Sequence, residues 1–389
     1  GDVYKRQGKD VATMPVELNQ LIEWRRAFHQ NPELSNQEYE TTQRIREILT
    51  HYDIKILNTP LSTGLVAEIG HGEDFIVIRS DIDALPIEEQ TALKFRSENK
   101  DVMHACGHDI HMAAILGTAI QLKEQEAQLK SRVRVIFQAA EEISEGAFEV
   151  VKTGVLDGAK AILGFHNDPT LKVGEWRAKS GFMTSNVDRF IIRIHGIGAH
   201  AAMPHNAKDP HVILSQLISS LQTIVSRNIA PHDEAVVTIG QVHSGHTWNV
   251  IPQDAMIEGT VRSFKKDIRD QVEARMTQIC EGLALQFDAQ VELDYQRLAG
   301  AVFNDDTLQQ IALKSAQHVG YQADVLPRAL TIGEDFSGYQ DIAPVHFAMI
   351  GSESQFPLHH AQYNPNEVIL EKVPAYFVAL IQEIWEASS

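Results

Sequence analysis

The sequence predicts an α/β protein of two domains, the first interrupted by the second. Short apolar strand runs alternate with segments of helical period across 389 residues, a length beyond a typical single core. Three of those runs end in acidic or imidazole residues, where open α/β sheets place their ligands. Near Gly181–Ser185 the pattern changes to β-α-β-β-α-β, the ferredoxin-like order, over a stretch of about 110 residues that fits the size of a domain.

Taken in order, Leu18, Leu21, Ile22, Arg25 and Phe28 recur at helical spacing, so a helix is expected over residues 16–29, ending near Asn31-Pro32. A second helix is expected over 41–49, then strands at 54–57, 65–69 and 75–78. The last is fully apolar, as a central strand would be, and delivers Arg79-Ser80-Asp81-Ile82-Asp83 at its carboxyl end. A helix over 108–122 precedes a strand at 133–137 that leads into Ala139-Ala140-Glu141-Glu142. The run 161–165 leads into His166-Asn167-Asp168. The insert reads as a strand around 190–194, a helix at 211–226, strands at 236–239 and 255–262, a helix at 266–287 and a strand at 291–295. The first domain then resumes with a helix at 305–318, a strand at 345–350 and a helix at 373–386, with His359-His360 in the loop between the last two. Domain boundaries follow: 14–185 and 298–389 for the catalytic part, 186–297 for the insert, and 1–13 as a non-native or disordered segment before a native start at Met14.

Composition narrows the function. A net charge of -18 without a basic block argues against nucleic acid or an anionic membrane as partner. Only Cys106 and Cys280 are present, so a disulfide framework is not expected and a reducing, cytoplasmic setting fits. No apolar run approaches the roughly 18 residues of a membrane helix.

The segment His104-Ala105-Cys106-Gly107-His108-Asp109-Ile110-His111 packs three imidazoles, a thiol and a carboxylate into eight residues. A lone Cys or His is more often a core or surface residue, but Cys-x-His at this ligand density points to a metal. Partners come from the other strand ends and the far loop: Glu142, His166 and His359, with Glu141 alongside. Cys106, His108, Glu142, His166 and His359 are too many for one tetrahedral zinc and suit two ions sharing a bridging ligand. In a continuing strand Glu141 and Glu142 would face opposite sides, so both serve one centre only if the chain bends after Phe137, which the small Ala139 and Ala140 allow.

The motifs together resemble the di-metal metallopeptidases of the aminoacylase and glutamate carboxypeptidase family, and within it the amidohydrolase branch of hippurate and auxin-conjugate hydrolases. The matching pieces are HQNPEL (29–34), RSDIDALP (79–86), HACGHD (104–109), QAAEE (138–142), GFH (164–166), GAHAAMPH (198–205), NVIP (249–252), GTVRSF (259–264), GEDF (333–336) and Leu358-His359, in order along nearly the whole chain. The resemblance implies a di-metal aminopeptidase-like catalytic domain, a mixed sheet flanked by helices, interrupted by a lid that dimerises. It implies Cys106 as bridging ligand, His108 and His166 on one ion, Glu142 and His359 on the other, and Glu141 as general base. By the same resemblance, His200 from the partner's lid would stabilise the oxyanion, Asn249 and Arg262 would hold the substrate carboxylate, and Asp83 would orient a ligand from behind. His104 and His111 would stand behind the ligands or on the helix face, and Asp81 carries no assigned role. Where the branch usually has proline two residues after the ligand His, this chain has Ala361, so His360 is the alternative to His359; Ala199 replaces a frequent glycine.

The expected activity is hydrolysis of N-acyl amino acids, N-acetyl, N-benzoyl or similar aryl-acyl, by a homodimer or tetramer. The expected cofactors are two divalent ions, Zn²⁺ or Mn²⁺, with Co²⁺ or Ni²⁺ also compatible with these ligands. A carboxypeptidase or dipeptidase is the near alternative. A Cys-nucleophile hydrolase and a non-catalytic metal-binding protein are the alternatives of another class.

Overall fold

The structure, a computed structural model, describes residues 16–389; the expected non-native stretch 1–13 and the start at Met14 lie outside the described residues. Helix α1 (Leu18–Gln30) buries Leu21, Arg25, Phe28 and His29, one face at i, i+4, i+7 and i+8. Helix α2 (Tyr39–His51) buries Thr41, Thr42, Ile45 and Leu49. Strands β1 (Lys55–Ile56), β2 (Leu65–Ile69) and β3 (Phe75–Asp81) follow. All of β3 is buried, three residues beyond the expected end at Ile78. The polar continuation is satisfied: Arg79 Nη2 lies 2.7 Å from Asp335 Oδ1, and its Nε donates to Gln138 Oε1 at 2.9 Å.

Helix α3 (His108–Glu124) is buried along nearly its whole length, its charged residues and histidines gathered in the first and last turns around a largely apolar middle. After it come β4 (Arg132–Gln138), α4 (Gly146–Lys152), β5 (Ile162–Asp168), β6 (Glu175–Ala178) and β7 (Gly181–Phe182). The next run is β8 (Asn186–His195), β9 (Ala199–His200), α5 (Pro210–Thr223), β10 (Ala235–Ser244), β11 (Val250–Ile251), β12 (Asp254–Ser263), α6 (Lys266–Phe287) and β13 (Gln290–Arg297). The chain closes with β14 (Phe303–Asn304), α7 (Asp306–His318), β15 (Gln322–Val325), β16 (Val345–Gly351) and α8 (Val373–Ala387). The elements the sequence does not announce are the short ones, α4, β6, β7, β9, β11, β14 and β15. None but α4 exceeds four residues, too few to show a period.

The chain divides into two units. One takes the described residues up to Met183 with Val302–Arg328 and Asp335–Ser389; the other takes Thr184–Ala301 and Ala329–Glu334. The first holds an eight-stranded mixed sheet in the order β1-β2-β4-β3-β5-β16-β6-β15, in agreement with the expected α/β class. Its central strands β4, β3, β5 and β16 run parallel, so their carboxyl ends gather at one sheet edge. The second holds an antiparallel sheet in the order β10-β12-β8-β13. Phe190, Ile192 and Ile194 of β8 share its core with Ile213, Leu217 and Leu221 of α5 and Val272, Met276 and Ile279 of α6. Among the described residues no helix is long and apolar enough to cross a membrane.

Candidate metal centre

At the carboxyl edge of the parallel strands the chain makes the bend that two adjacent carboxylates need. Beyond β4, Ala140 takes φ +53°, a conformation strained for a residue with a Cβ. Its N–H donates to Glu38 Oε1 at 2.9 Å, and its carbonyl accepts from Glu145 and Gly146. As a result Glu141 Oε2 and Glu142 Oε1 both face His108 Nε2, at 3.7 and 3.5 Å.

Around that imidazole the ligand atoms converge. Cys106, His108 and Glu142 present atoms all within 4.8 Å of one another, as do Asp83, His108 and Glu141, and as do Asp81, His108, His111 and His166. Cys106 Sγ lies 3.4 Å from His166 Nε2. His166 Nδ1 donates to the carbonyl of Asn167 at 2.7 Å, which fixes the tautomer and leaves the Nε2 lone pair facing the thiol. His359, at φ +68°, is held to the 103–106 segment by its N–H on the Ala105 carbonyl and sets Nε2 3.5 Å from Glu142 Oε2. His360 turns elsewhere: its ring stacks on Phe356 and its Nδ1 accepts from Gln362 N–H.

The electrostatics are those of a cation site. Burial disfavours a charged His108, yet Asp81, Asp83 and Glu142 outweigh it and hold the imidazole up to about 10. Burial pushes Glu142 up to about 7 against the pull of His108. Burial, with the charges of Glu142 and Glu141 added, lifts the Cys106 thiol well above its ordinary value. Both His108 ring nitrogens, Asp83 Oδ1 and Glu142 Oε1 are buried without a hydrogen-bond partner. Divalent cations would take His108 Nε2 and Glu142 Oε1 and leave His108 Nδ1 facing Asp83 Oδ1 at 3.3 Å, so the donor set fits two such ions.

Behind the ligands lie contacts that the sequence pattern does not reveal. His111 donates Nδ1–H to Asp81 Oδ1 at 2.6 Å and accepts at Nε2 from the Asn167 N–H and side chain, so neither nitrogen is left for a metal. Burial keeps it neutral, pushed down to about 3. Asp109, next to His108, accepts at Oδ2 from Arg25 Nε (2.8 Å) and His29 Nδ1 (2.9 Å), while His29 Nε2 meets Glu89 Oε1 at 2.8 Å. His104 is buried with both ring nitrogens unpartnered and joins none of the converging groups; burial pushes it down to about 4. Asp335 is the partner of Arg79 and accepts from Ala147 N–H and Gln138 Nε2, which ties it to the strand ends.

A model of the family described as peptidase family M20/M25/M40 matches residues 77–383, a span that includes Cys106, His108, Glu141, Glu142, His166 and His359. The chain belongs to that family. Two Bacillus subtilis (strain 168) members are similar over most of their lengths. One, an N-acetyl-L-cysteine deacetylase, is 42% identical over 386 residues, covering 96% of this chain and 92% of its own. The other, an N-acetylcysteine deacetylase, is 46% identical over 363 residues, covering 92% and 95%. The crystal structure of the Bacillus subtilis YXEP protein, described as a dinuclear metal-binding peptidase of the M20 family, superposes with a TM-score of 0.83 at 42% identity, covering 95% of this chain and 98% of that one. As an M20 family member the chain is a hydrolase.

The remaining expected site residues lie in the second unit. β9 and β11 form a two-stranded ribbon that pairs His200 with Val250, next to Asn249, whose carbonyl accepts from Ala201 N–H. His200 is exposed, and its Nδ1 accepts from Ala202 N–H at 3.0 Å, so its proton sits on Nε2. Arg262 is partly buried on β12.

Proposed function

We propose that this M20 family member is a binuclear metal-dependent amidohydrolase that cleaves N-acyl amino acids to a carboxylic acid and a free amino acid. The observation that carries the reading is the convergence of Cys106, His108 and Glu142 within 4.8 Å, with His166 and His359 each 3.4–3.5 Å from a member of that trio. The proposed ligands are Cys106 as bridge, His108 and His166 for one ion, and Glu142 and His359 for the other. Zn²⁺ suits the thiolate and imidazoles, with Mn²⁺, Co²⁺ or Ni²⁺ as substitutes. When bound, the two ions would acidify a water and polarise the amide carbonyl.

Glu141, buried beside the ligands, takes a proton from the attacking water and returns it to the leaving amine. Asp83 orients His108, its Oδ1 lying 3.3 Å from Nδ1. His200, reaching in from the lid of a partner subunit, donates from Nε2 to the tetrahedral oxyanion, a role supported by the Ala202 N–H that occupies Nδ1. Arg262 and Asn249 hold the substrate carboxylate, Arg262 by its bidentate fork. The acyl group is taken to be acetyl, because both similar Bacillus proteins are deacetylases. The second unit is taken as lid and dimer contact; its sheet leaves the edges of β10 and β13 unpaired, with Val236 and Val242 exposed along β10. Two buried free cysteines suit the cytoplasm.

A Cys106 nucleophile would need a lowered thiol pKa, and burial among carboxylates raises it. The test is Glu141→Gln measured for both metal content and turnover on N-acetyl, N-benzoyl and indole-acetyl amino acids. It should keep two ions per chain and lose about 10²- to 10⁴-fold in kcat. A variant that retains turnover would remove Glu141 from its role. Activity that survives chelation but not alkylation would overturn the metal reading altogether.

A further inference from the structure

One residue outside the ligand set touches Cys106, His111 and His166 at once. The Asn167 amide is fully buried and uses all four of its hydrogen-bonding positions. Its Nδ2 donates to the Cys106 carbonyl at 2.9 Å and to His111 Nε2 at 2.9 Å. Its Oδ1 accepts from Ser352 Oγ at 3.0 Å and from the Tyr363 hydroxyl. Its main-chain N–H also donates to His111 Nε2, and its carbonyl accepts from His166 Nδ1–H. The amide cannot be turned over, since that would set its oxygen against two acceptors.

Both bonds from Nδ2 lead toward the ligands. The Cys106 carbonyl belongs to the residue whose thiol faces His166. His111, made an acceptor at Nε2, has to donate Nδ1–H to Asp81 Oδ1, and Asp81 Oδ2 lies 3.2 Å from His108 Nε2. The approach is so close that a Cβ on Gly107 would lie 2.2 Å from Asn167 Nδ2, and Gly107 takes φ +78°, open mainly to glycine. We infer that Asn167 is a positioning residue for the metal centre, its amide setting the Cys106 thiol and the Asp81–His108 side at one fixed separation. Ser352 and Tyr363 orient that amide from the β16 end and the loop before α8. The inference rests on the ligand reading proposed above. No other residue type supplies this pattern at this size: aspartate accepts only, and leucine leaves the Cys106 carbonyl and His111 Nε2 without donors.

The experiment is Zn²⁺ competition against a chromophoric chelator, together with the thiolate-to-metal absorption of the Co²⁺-substituted protein, on the full chain and on Asn167→Ala. Wild-type stoichiometry of two ions tests the ligand reading; the ratio of variant to wild-type affinity tests Asn167. Asn167→Ala should bind metal about 10- to 100-fold more weakly and shift the Co²⁺ thiolate band. Tyr363→Phe with Ser352→Ala keeps the amide but releases its oxygen, and should show the same changes in smaller measure, so the inference can be tested if Asn167→Ala does not fold. Unchanged metal affinity and an unchanged Co²⁺ spectrum, with only the melting temperature of the metal-free protein lowered, would make Asn167 a plain packing residue and overturn the inference.

Discussion

Replacing Arg25 by methionine tests the charge cluster that anchors the first turn of α3. Arg25 is fully buried; its Nε donates to Asp109 Oδ2 at 2.8 Å and its Nη1 to Glu367 Oε1 at 2.8 Å. Burial alone would raise the Asp109 carboxyl, but Arg25 first and His29 second hold it far below the usual carboxylate range. Removing one partner of a buried pair costs about 3–5 kcal/mol, because the other charge stays behind. The bond count agrees: two charge-assisted hydrogen bonds at about 1.5–3 kcal/mol each give roughly 3–6. For 389 residues an unfolding entropy of about 2.1 cal/mol/K per residue is about 0.8 kcal/mol/K, so the melting temperature should fall by at least about 4 °C. Circular dichroism melts in chelator isolate this from metal binding. Asp109→Leu combined with Arg25→Met removes both charges, so the double variant should be less destabilised than the sum by about 2 kcal/mol. Strictly additive costs, or an Arg25→Met melt within 1 °C of wild type, would show that the cluster contributes no coupling.

His29 provides a pH test of the same cluster. Burial lowers its pKa, but hydrogen bonds to Asp109 and Glu89 outweigh burial and leave it raised. Its ion pairs therefore stabilise fully below roughly pH 6.5 and are lost as pH rises through the folded value, so the stability gap between wild type and His29→Gln should narrow as pH rises above roughly 6.5; a gap that widens contradicts the assignment. At the other unit, Val236→Lys with Val242→Lys on the exposed edge of β10 tests the proposed dimer, which should become a monomer by light scattering. Activity should fall with it if His200 acts across the interface, and an intact dimer would move the contact elsewhere.

What could be read in the sequence was what carries a local period or a dense motif. The runs at 75–78 and 133–137 and the octet at 104–111 each declare themselves, and the bend needed at Ala139-Ala140 followed from strand alternation alone. What could not be read are pairings across large sequence distances. Arg79 and Asp81 looked like the end of β3 because they are polar, yet Arg79 is buried against Asp335, 256 positions away. Asn167 stood beside a ligand with nothing to mark it, since its partners are Cys106, Ser352 and Tyr363. His111 looked like a helix-face residue, and only its contacts with Asp81 and Asn167 show why both its nitrogens are committed.

The division of the first unit into separate stretches has a consequence for how the protein is made. β16 sits between β5 and β6 in the sheet, yet nearly 180 residues separate β5 from β16 along the chain. During synthesis, the inserted unit can complete its sheet from residues that are nearly contiguous, while β5 waits with a bare apolar edge until Val345–Gly351 leaves the ribosome. That waiting interval, at translation rates of about 5–20 residues per second, lasts on the order of ten seconds or more. The nascent chain is most exposed to aggregation then, and a chaperone that holds the Ile162–Asp168 edge would gain most from acting in that window.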